Sequence, residues 1–264
     1  MADKQLRLHN VEKNKRYSLY SQLLTIMIVV GGVFALAVMW KSKQRLQGVQ
    51  VSGIKALTQQ EIIEISGLDT SEHLYLKDIE LAEIRQNIRK HPFIRSVEVA
   101  HGDNGVISIA VDERAPVAAI KSSGGDLQYI DSEGKILPYR LFSVVSDVPI
   151  VHGIETVGKV DSIGLVGLVS LLKELQFTER GELYQQISEI IYEARLSSFI
   201  LRSADAGFSV TVGTVANLNG KFSHLYAFLT RELPKLPKNS IDYIDLRWSD
   251  QLVVKKKTVA SNSR

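Results

Sequence analysis

The stretch Pro92–Ala118, PFIRSVEVAHGDNGVISIAVDERAPVA, decides how the chain is organised. Ile94-Arg95-Ser96-Val97-Glu98-Val99 alternates apolar and polar side chains, the period of a half-buried strand. Gly102-Asp103-Asn104-Gly105 supplies turn residues, and Val106–Val111 returns with Ile107, Ile109 and Val111 on one face. The stretch therefore predicts a β-hairpin, entered through a proline that stops the preceding helix. It leaves through Glu113-Arg114-Ala115-Pro116 into a second region.

Upstream, Leu46–Val51 (LQGVQV) alternates as a short strand and closes on Ser52-Gly53, where glycine permits a tight turn. Thr58-Gln59-Gln60-Glu61 has capping-box form and opens a helix carrying Ile62, Ile63 and Ile65, with Gly67 as its stop. A second helix is predicted after Asp78 to about Lys90. Leu81, Ile84 and Ile88 form its apolar face, opposite Glu80, Glu83, Arg85, Gln86 and Arg89. Strand, helix, helix, strand, strand between Leu46 and Asp112 describes a three-stranded sheet with two helices on one face.

Before this module lies Tyr17–Trp40, YSLYSQLLTIMIVVGGVFALAVMW, 24 residues without a charge. As a helix it spans about 36 Å, against about 30 Å of bilayer hydrocarbon, and predicts a single transmembrane helix. Tyr17, Tyr20 and Trp40 sit at its ends, where amphipathic rings prefer the headgroup layer. The competing reading is a cleaved signal peptide at Ala35-Leu36-Ala37. That site lies inside the apolar run and is followed by Val38-Met39-Trp40, which favours an uncleaved anchor. Lys4, Arg7, Lys13, Lys15 and Arg16 precede the run, whereas Lys41, Lys43 and Arg45 follow it, a bias toward a cytoplasmic N-terminus. No comparable apolar run occurs later.

Beyond the hairpin, Pro116–Ile120, Leu127–Ile130 and Ile136–Leu137 read as short strands. Asp161-Ser162 caps a helix from Ile163 to about Leu175, with Leu165, Leu168, Val169, Leu172 and Leu175 inward. Gly164 and Gly167 in that helix read as close packing positions. Gln186–Tyr192, Ser198–Arg202 and Phe208–Val212 follow as strands whose meander form predicts an antiparallel sheet. Phe222–Leu233 is an amphipathic helix ended by Pro234, and Ile241–Leu246 with Gln251–Lys256 close the fold. The fold class is α+β: a transmembrane helix, a β-α-α-β-β domain, then a β-rich domain with an antiparallel sheet and flanking helices. The expected divisions are a cytoplasmic tail (1–16), the span (17–40), a linker (41–45), the first domain (46–115), the β domain (116–257) and a tail (258–264).

Composition narrows the function classes. At 45% apolar and 23% charged the chain is ordinary folded protein, and a net charge of +3 with scattered Lys/Arg gives no basis for nucleic-acid binding. The absence of cysteine removes disulfides and thiolate chemistry. His9, His73, His91, His101, His152 and His224 lack metal-ligand spacing, and no nucleophile elbow or phosphate-binding glycine loop occurs. Adjacent Asp112 and Glu113 fall on opposite faces of a strand. No catalytic, cofactor or metal site and no small-molecule substrate is expected. The last strand is the better candidate, because nothing later in the chain can cover it. Two readings stand: Lys255, Lys256 and Lys257 protect that edge, or the edge receives a partner strand by β-augmentation.

The order of these features resembles a POTRA domain, and more narrowly that of the FtsQ/DivIB family of bacterial cell-division proteins. The resemblance is carried by the strand-turn at Val49–Gly53, the x-P-F-I-R-S-V-E-V step, and Glu113-Arg114-Ala115-Pro116-Val117-Ala118. It continues through Tyr129-Ile130-Asp131-Ser132-Glu133-Gly134, Val148-Pro149-Ile150-Val151-His152-Gly153 and Asp245-Leu246-Arg247-Trp248. The turn Gly102–Gly105 departs from the Arg-x-Trp-Pro step of many relatives, and long polar tails are missing.

The resemblance implies a non-enzymatic bitopic scaffold in the cytoplasmic membrane, with its bulk outside the cytoplasm, concentrated at the division septum. Its implied partners are FtsB/FtsL-like membrane-anchored coiled-coil proteins, with further divisome contacts through the POTRA-like domain and a role in controlling septal peptidoglycan synthesis. It makes Trp248, Ser249, Leu252, Val253, Val254, Lys255 and Lys256 the candidate partner contacts, and Glu113, Arg114 and Pro116 an interdomain junction. The alternative is a membrane-tethered POTRA-type chaperone or secretion component. Outer-membrane barrels would need many alternating strands of about ten residues, which the helix-containing C-terminal half does not supply.

Overall fold

The computed structural model describes residues 22–36, 39, 44–69, 74–141, 147–158, 160–177, 181–203, 207–248 and 251–257. Residues 22–36 form a helix, α1, whose side chains are all exposed. Among the described residues no helix is long and apolar enough to cross a membrane. Tyr17 and Trp40, the expected anchor ends, lie outside the described residues.

The chain then divides into two compact units: one runs through His91 and resumes at Ser96–Asp112, and the other holds Pro92–Arg95 and everything from Glu113. The first unit contains β1 (Gly48–Ser52), α2 (Gln59–Ser66), α3 (Leu81–Arg89), and most of β2 (Ile94–His101) and β3 (Val106–Glu113). Its sheet runs β1-β3-β2. β1 lies parallel to β3, with Val49 opposite Ile107 and Val51 opposite Ile109. Parallel neighbours need a crossover, and α2, α3 and β2 provide it. Ile107, Ile109 and Val111 are buried with Val97 and Val99, and Ile62, Ile84 and Ile88 from the helices complete the core. The other sheet face, with Glu98, Ala100, Ala110 and Asp112, is exposed, as suits a sheet with one covered face.

Local chemistry sets the ends of α2. Thr58 Oγ1 accepts a hydrogen bond from Glu61 N at 3.2 Å, and Gly67 closes the helix with φ of +76°. At Gly53, φ is +82° and a Cβ would overlap the Val111 carbonyl, so glycine is required there.

The second unit is built on a nine-stranded sheet ordered β12-β11-β10-β9-β8-β7-β4-β5-β6. In chain order these are β4 (Pro116–Lys121), β5 (Leu127–Asp131), β6 (Ile136–Pro138), β7 (Ile150–His152), β8 (Ile187–Glu193), β9 (Ser198–Ser203), β10 (Ser209–Gly213), β11 (Ile241–Asp245) and β12 (Val253–Lys256). The sheet is mixed, which corrects the antiparallel expectation. β8, β9 and β10 do form an antiparallel meander, but β4–β7, β7–β8 and β10–β11 are parallel pairs. For the last two pairs the cause is the helices: α4 (Ser162–Phe177) and α5 (Gly181–Gln185) carry the chain from β7 to β8, and α6 (Leu218–Arg231) from β10 to β11, whereas β5 and β6 lie between β4 and β7. A helix between two neighbouring strands returns the second in the same direction as the first.

Leu168, Leu171, Leu172 and Leu175 of α4 are buried with Phe222 and Leu225 of α6 in one core with Ile120, Ile130, Ile190, Phe199 and Ile244. α4 is largely apolar, and its two glycines let it lie close to the sheet. A Cβ on Gly164 would meet the Tyr192 ring at 2.8 Å, and one on Gly167 the Phe199 ring at 3.0 Å. That approach matches the packing role expected from the sequence. Tyr192 and Phe199 themselves pack with their ring planes tilted by 37° and their centroids 4.8 Å apart.

Candidate partner-binding edge

β12 stands at one end of the sheet, and among the described residues β11 is its only strand neighbour. Its pairing with β11 is antiparallel, with Asp245 opposite Val253, Ile244 opposite Val254 and Tyr243 opposite Lys255. Strand alternation then divides the candidate contacts. Leu252 and Val254 pack against the core, so their side chains hold the edge in place. Val253 is 41% exposed and Trp248 56% exposed, and Lys256 is exposed as well. Lys255 is already engaged: its Nζ lies 3.3 Å from Asp242 Oδ2 and 5.3 Å from the centre of the Tyr243 ring. Ser249 lies outside the described residues.

Lys257 fixes the register beyond the strand. Its N–H donates to the Ser240 carbonyl at 2.7 Å, on the β11 side. Successive residues of a strand turn their N–H and C=O to opposite sides. Residues 255 and 253 therefore also face β11, and residues 254 and 256 turn their backbone groups to the open edge. The edge offers a short row of hydrogen-bonding groups flanked by Val253, Lys256 and Trp248.

The turn between β11 and β12 is held by a local ion pair. Asp245, only 5% exposed, receives Arg247 N at 3.0 Å, Arg247 Nε at 3.0 Å and Arg247 Nη2 at 2.6 Å. Those bonds hold the Asp245 carboxyl below the usual carboxylate range, outweighing the burial that pushes it up. Leu246 N donates to Thr211 O at 2.8 Å, which ties the same turn to β10. Lys221 of α6, which the sequence reading passed over, is only 5% exposed. Its Nζ donates to Val212 O at 2.9 Å and Thr214 O at 2.8 Å, closing the end of β10. Burial pushes its ammonium below the usual lysine range, and the nearby Asp245 charge partly restores it. Its signal was a lysine on the buried stripe of an amphipathic helix, four residues before Leu225.

The junction residues gather at the other side of this unit. Glu113 is buried, and Pro116 begins β4. Arg114 N donates to Phe93 O at 2.8 Å, and its Nη1 reaches Asp131 Oδ2 at 2.5 Å and Glu133 Oε2 at 2.7 Å. Asp131 is fully buried, and its Oδ1 accepts from Glu133 N at 2.9 Å and Lys135 N at 2.8 Å. Arg95 Nε meets the second oxygen of Glu133 at 3.2 Å. The hydrogen bond that Arg114 donates to Glu133 raises the Arg114 pKa further, against the cost of burial.

Residues 115–255 match the family model described as FtsQ/DivIB, C-terminal related. The chain belongs to the FtsQ/DivIB family. Residues 44–114 match the POTRA domain of FtsQ type, which covers the β1-α2-α3-β2-β3 unit. The chain is 29% identical to Cell division protein FtsQ of Geotalea daltonii over 80% of its own length and 76% of that protein. It is 25% identical to Cell division protein FtsQ of Rhodothermus marinus, with 95% and 93% covered. It is 30% identical to Cell division protein DivIB of Enterococcus faecalis over 54% of this chain and 39% of that protein. In this FtsQ/DivIB chain the family's C-terminal region is the nine-stranded sheet, with β12 at one end and β6 at the other.

Among the described residues no group of His, Cys, Asp or Glu is arranged to hold a metal ion. A cavity of about 480 Å³ is an open groove beside the start of β11, lined by Phe208, Leu233, Leu236 and Ile241 among others. It gathers no set of titratable side chains that could transfer a proton or attack a bond.

Proposed function

We propose that this protein is a non-enzymatic scaffold of the cell-division machinery, anchored by residues 17–40 with its two folded units outside the cytoplasm. In this reading it sits at the septum and couples assembly of its partners to control of peptidoglycan synthesis. The observation that carries the reading is β12, an edge strand with outward-facing backbone groups in the C-terminal region that places the chain in its family. Its partner is an extended segment of an FtsB-like protein paired with an FtsL-like one, added as a further strand beside β12. Main-chain bonds would supply affinity, with Trp248, Val253 and Lys256 reading the partner's side chains. An exposed ion pair to Lys256 adds only about 0.2–1 kcal/mol.

The uncharged run at 17–40 and the cation bias ahead of it support the anchor and its direction. Two experiments test the whole. Co-purification of the full chain with an FtsB/FtsL-like pair is expected. Depletion is expected to give filamentous cells, with a fluorescent fusion at mid-cell; normal division after depletion sinks the reading.

A further inference from the structure

Arg45 is bridged to Tyr75 in antiparallel fashion only six residues after helical Met39. Six extended residues reach about 20 Å, so this end of the POTRA unit is tied closely to the end of the apolar run. The end is well built: Leu46 N donates to Leu74 O at 2.8 Å, Leu76 N to Gln44 O at 3.0 Å, and Gln47 N to Gly105 O at 2.8 Å. On it stands Tyr75, 37% exposed, with two cations over its ring. Arg45 Cζ is 5.4 Å and Lys77 Nζ 5.6 Å from the ring centre. Among the described residues neither cation has a carboxylate within ion-pair distance. Lys41 and Lys43 add charge in the linker, and the neighbouring segments carry Asp69, Glu72, Asp78, Glu80 and Asp103.

We propose that Arg45, Tyr75 and Lys77 form a seat for headgroup phosphates of an anionic bilayer, holding the POTRA unit to the membrane surface. The inference rests on the reading of residues 17–40 as a membrane anchor. Two cations without a carboxylate partner among the described residues suit phosphate, and a tyrosine with an apolar body and polar tip suits the headgroup layer. The short tether decides between a bilayer and an acidic protein segment. It keeps a lipid surface within about 20 Å at all times, a high effective concentration that no diffusing partner shares. Each cation near an anionic surface shifts the balance about fivefold.

The test is hydrogen–deuterium exchange on the full chain in nanodiscs of phosphatidylcholine, with or without phosphatidylglycerol. Amides of residues 44–48 and 74–78 should exchange at least about fivefold more slowly in the anionic discs. Arg45→Gln with Lys77→Gln should return them to the zwitterionic level, and Arg45→Lys with Lys77→Arg should keep the protection. Unchanged exchange at Ile107 and Ile109 verifies the fold, and Lys77→Gln alone serves if the double variant fails that check. Equal exchange in the two lipids overturns the proposal, as does protection that survives the neutral variants. Protection produced in zwitterionic discs by added inorganic phosphate also overturns it, because the site would then take a soluble anion. Alkaline carbonate extraction separates the two readings: a chain released from the bilayer overturns the anchor, and the proposal falls with it. A retained chain with equal exchange overturns the proposal alone.

Discussion

Replacing Arg114 by alanine removes the side-chain cation that, among the described residues, pairs with Asp131, a carboxylate with 0% exposure. Breaking a buried pair by deleting one partner costs about 3–5 kcal/mol, because the other charge stays buried. Two features reduce that figure here. Asp131 keeps its backbone bonds from Glu133 and Lys135, at 2.9 and 2.8 Å, and the Arg114 side chain is 17% exposed, so water can reach the vacated position. A loss of about 2–3 kcal/mol remains. For a unit of roughly 150 residues that lowers Tm by about 5–10 °C. Circular dichroism of the full chain in detergent gives the melting shift, and hydrogen exchange across β4 and β5 assigns it to the C-terminal unit. Arg95→Gln is the control: it loses a 3.2 Å pair between half-exposed groups and should cost no more than about 1 kcal/mol. If Arg114→Ala costs no more than Arg95→Gln, the Asp131 pair does not stabilise this unit and the reasoning fails.

Gly53→Ala forces a side chain into φ of +82° and onto the Val111 carbonyl, and should destabilise the POTRA unit by at least about 2 kcal/mol, read by urea unfolding. Lys221→Met strands the Val212 and Thr214 carbonyls and should cost about 1–3 kcal/mol, with faster exchange at the end of β10 as its local signature. Asp245 gives a pH dependence. Its folded pKa lies below the ordinary 3.8, so its stabilisation is present above about 3.8 and disappears as pH falls through the folded value. Urea midpoints measured down through this range should fall less steeply in Asp245→Asn; parallel slopes contradict the assignment.

The POTRA unit was legible because its signals are local. The box at Thr58, the stop at Gly67 and the turn at Gly102–Gly105 act within a few residues, and alternation in β2 and β3 names the buried face directly. The C-terminal sheet was legible as elements but not as a topology. Hairpin-like spacing holds for β8, β9 and β10, and extending it to the whole sheet ignores the two helices that lie between strands. β7 has only three residues, too short for a periodic signal outside the family's proline-strand-glycine step. The site shows the same division. The alternation in β12 can be read from its residues, whereas which of its side chains face outward depends on β11. Lys255 reads as a free cation in QLVVKKK, yet its partners Asp242 and Tyr243 lie on the neighbouring strand.

The register of β12 also selects the variant that separates recognition from folding. A proline removes one backbone donor, and it is tolerated only where that donor does not serve the ladder. Because Lys257 N bonds Ser240, the Val253 amide faces β11, so Val253→Pro breaks the edge itself and its loss of binding would be ambiguous. Val254 faces the open edge, but its side chain packs on the core. Lys256 combines an outward amide with an exposed side chain. Lys256→Pro should therefore leave the melting of the C-terminal unit within about 1 kcal/mol of the parent while removing one main-chain bond to an added strand. Lys256→Gln provides the baseline, since it removes the charge and keeps the amide. Loss of one such bond together with the clash of the ring should weaken partner capture tenfold or more, about 1.4 kcal/mol, relative to Lys256→Gln. Equal capture by the two variants, at equal stability, would rule out strand addition at this edge and leave side-chain contacts at Trp248 and Val253 to account for any binding.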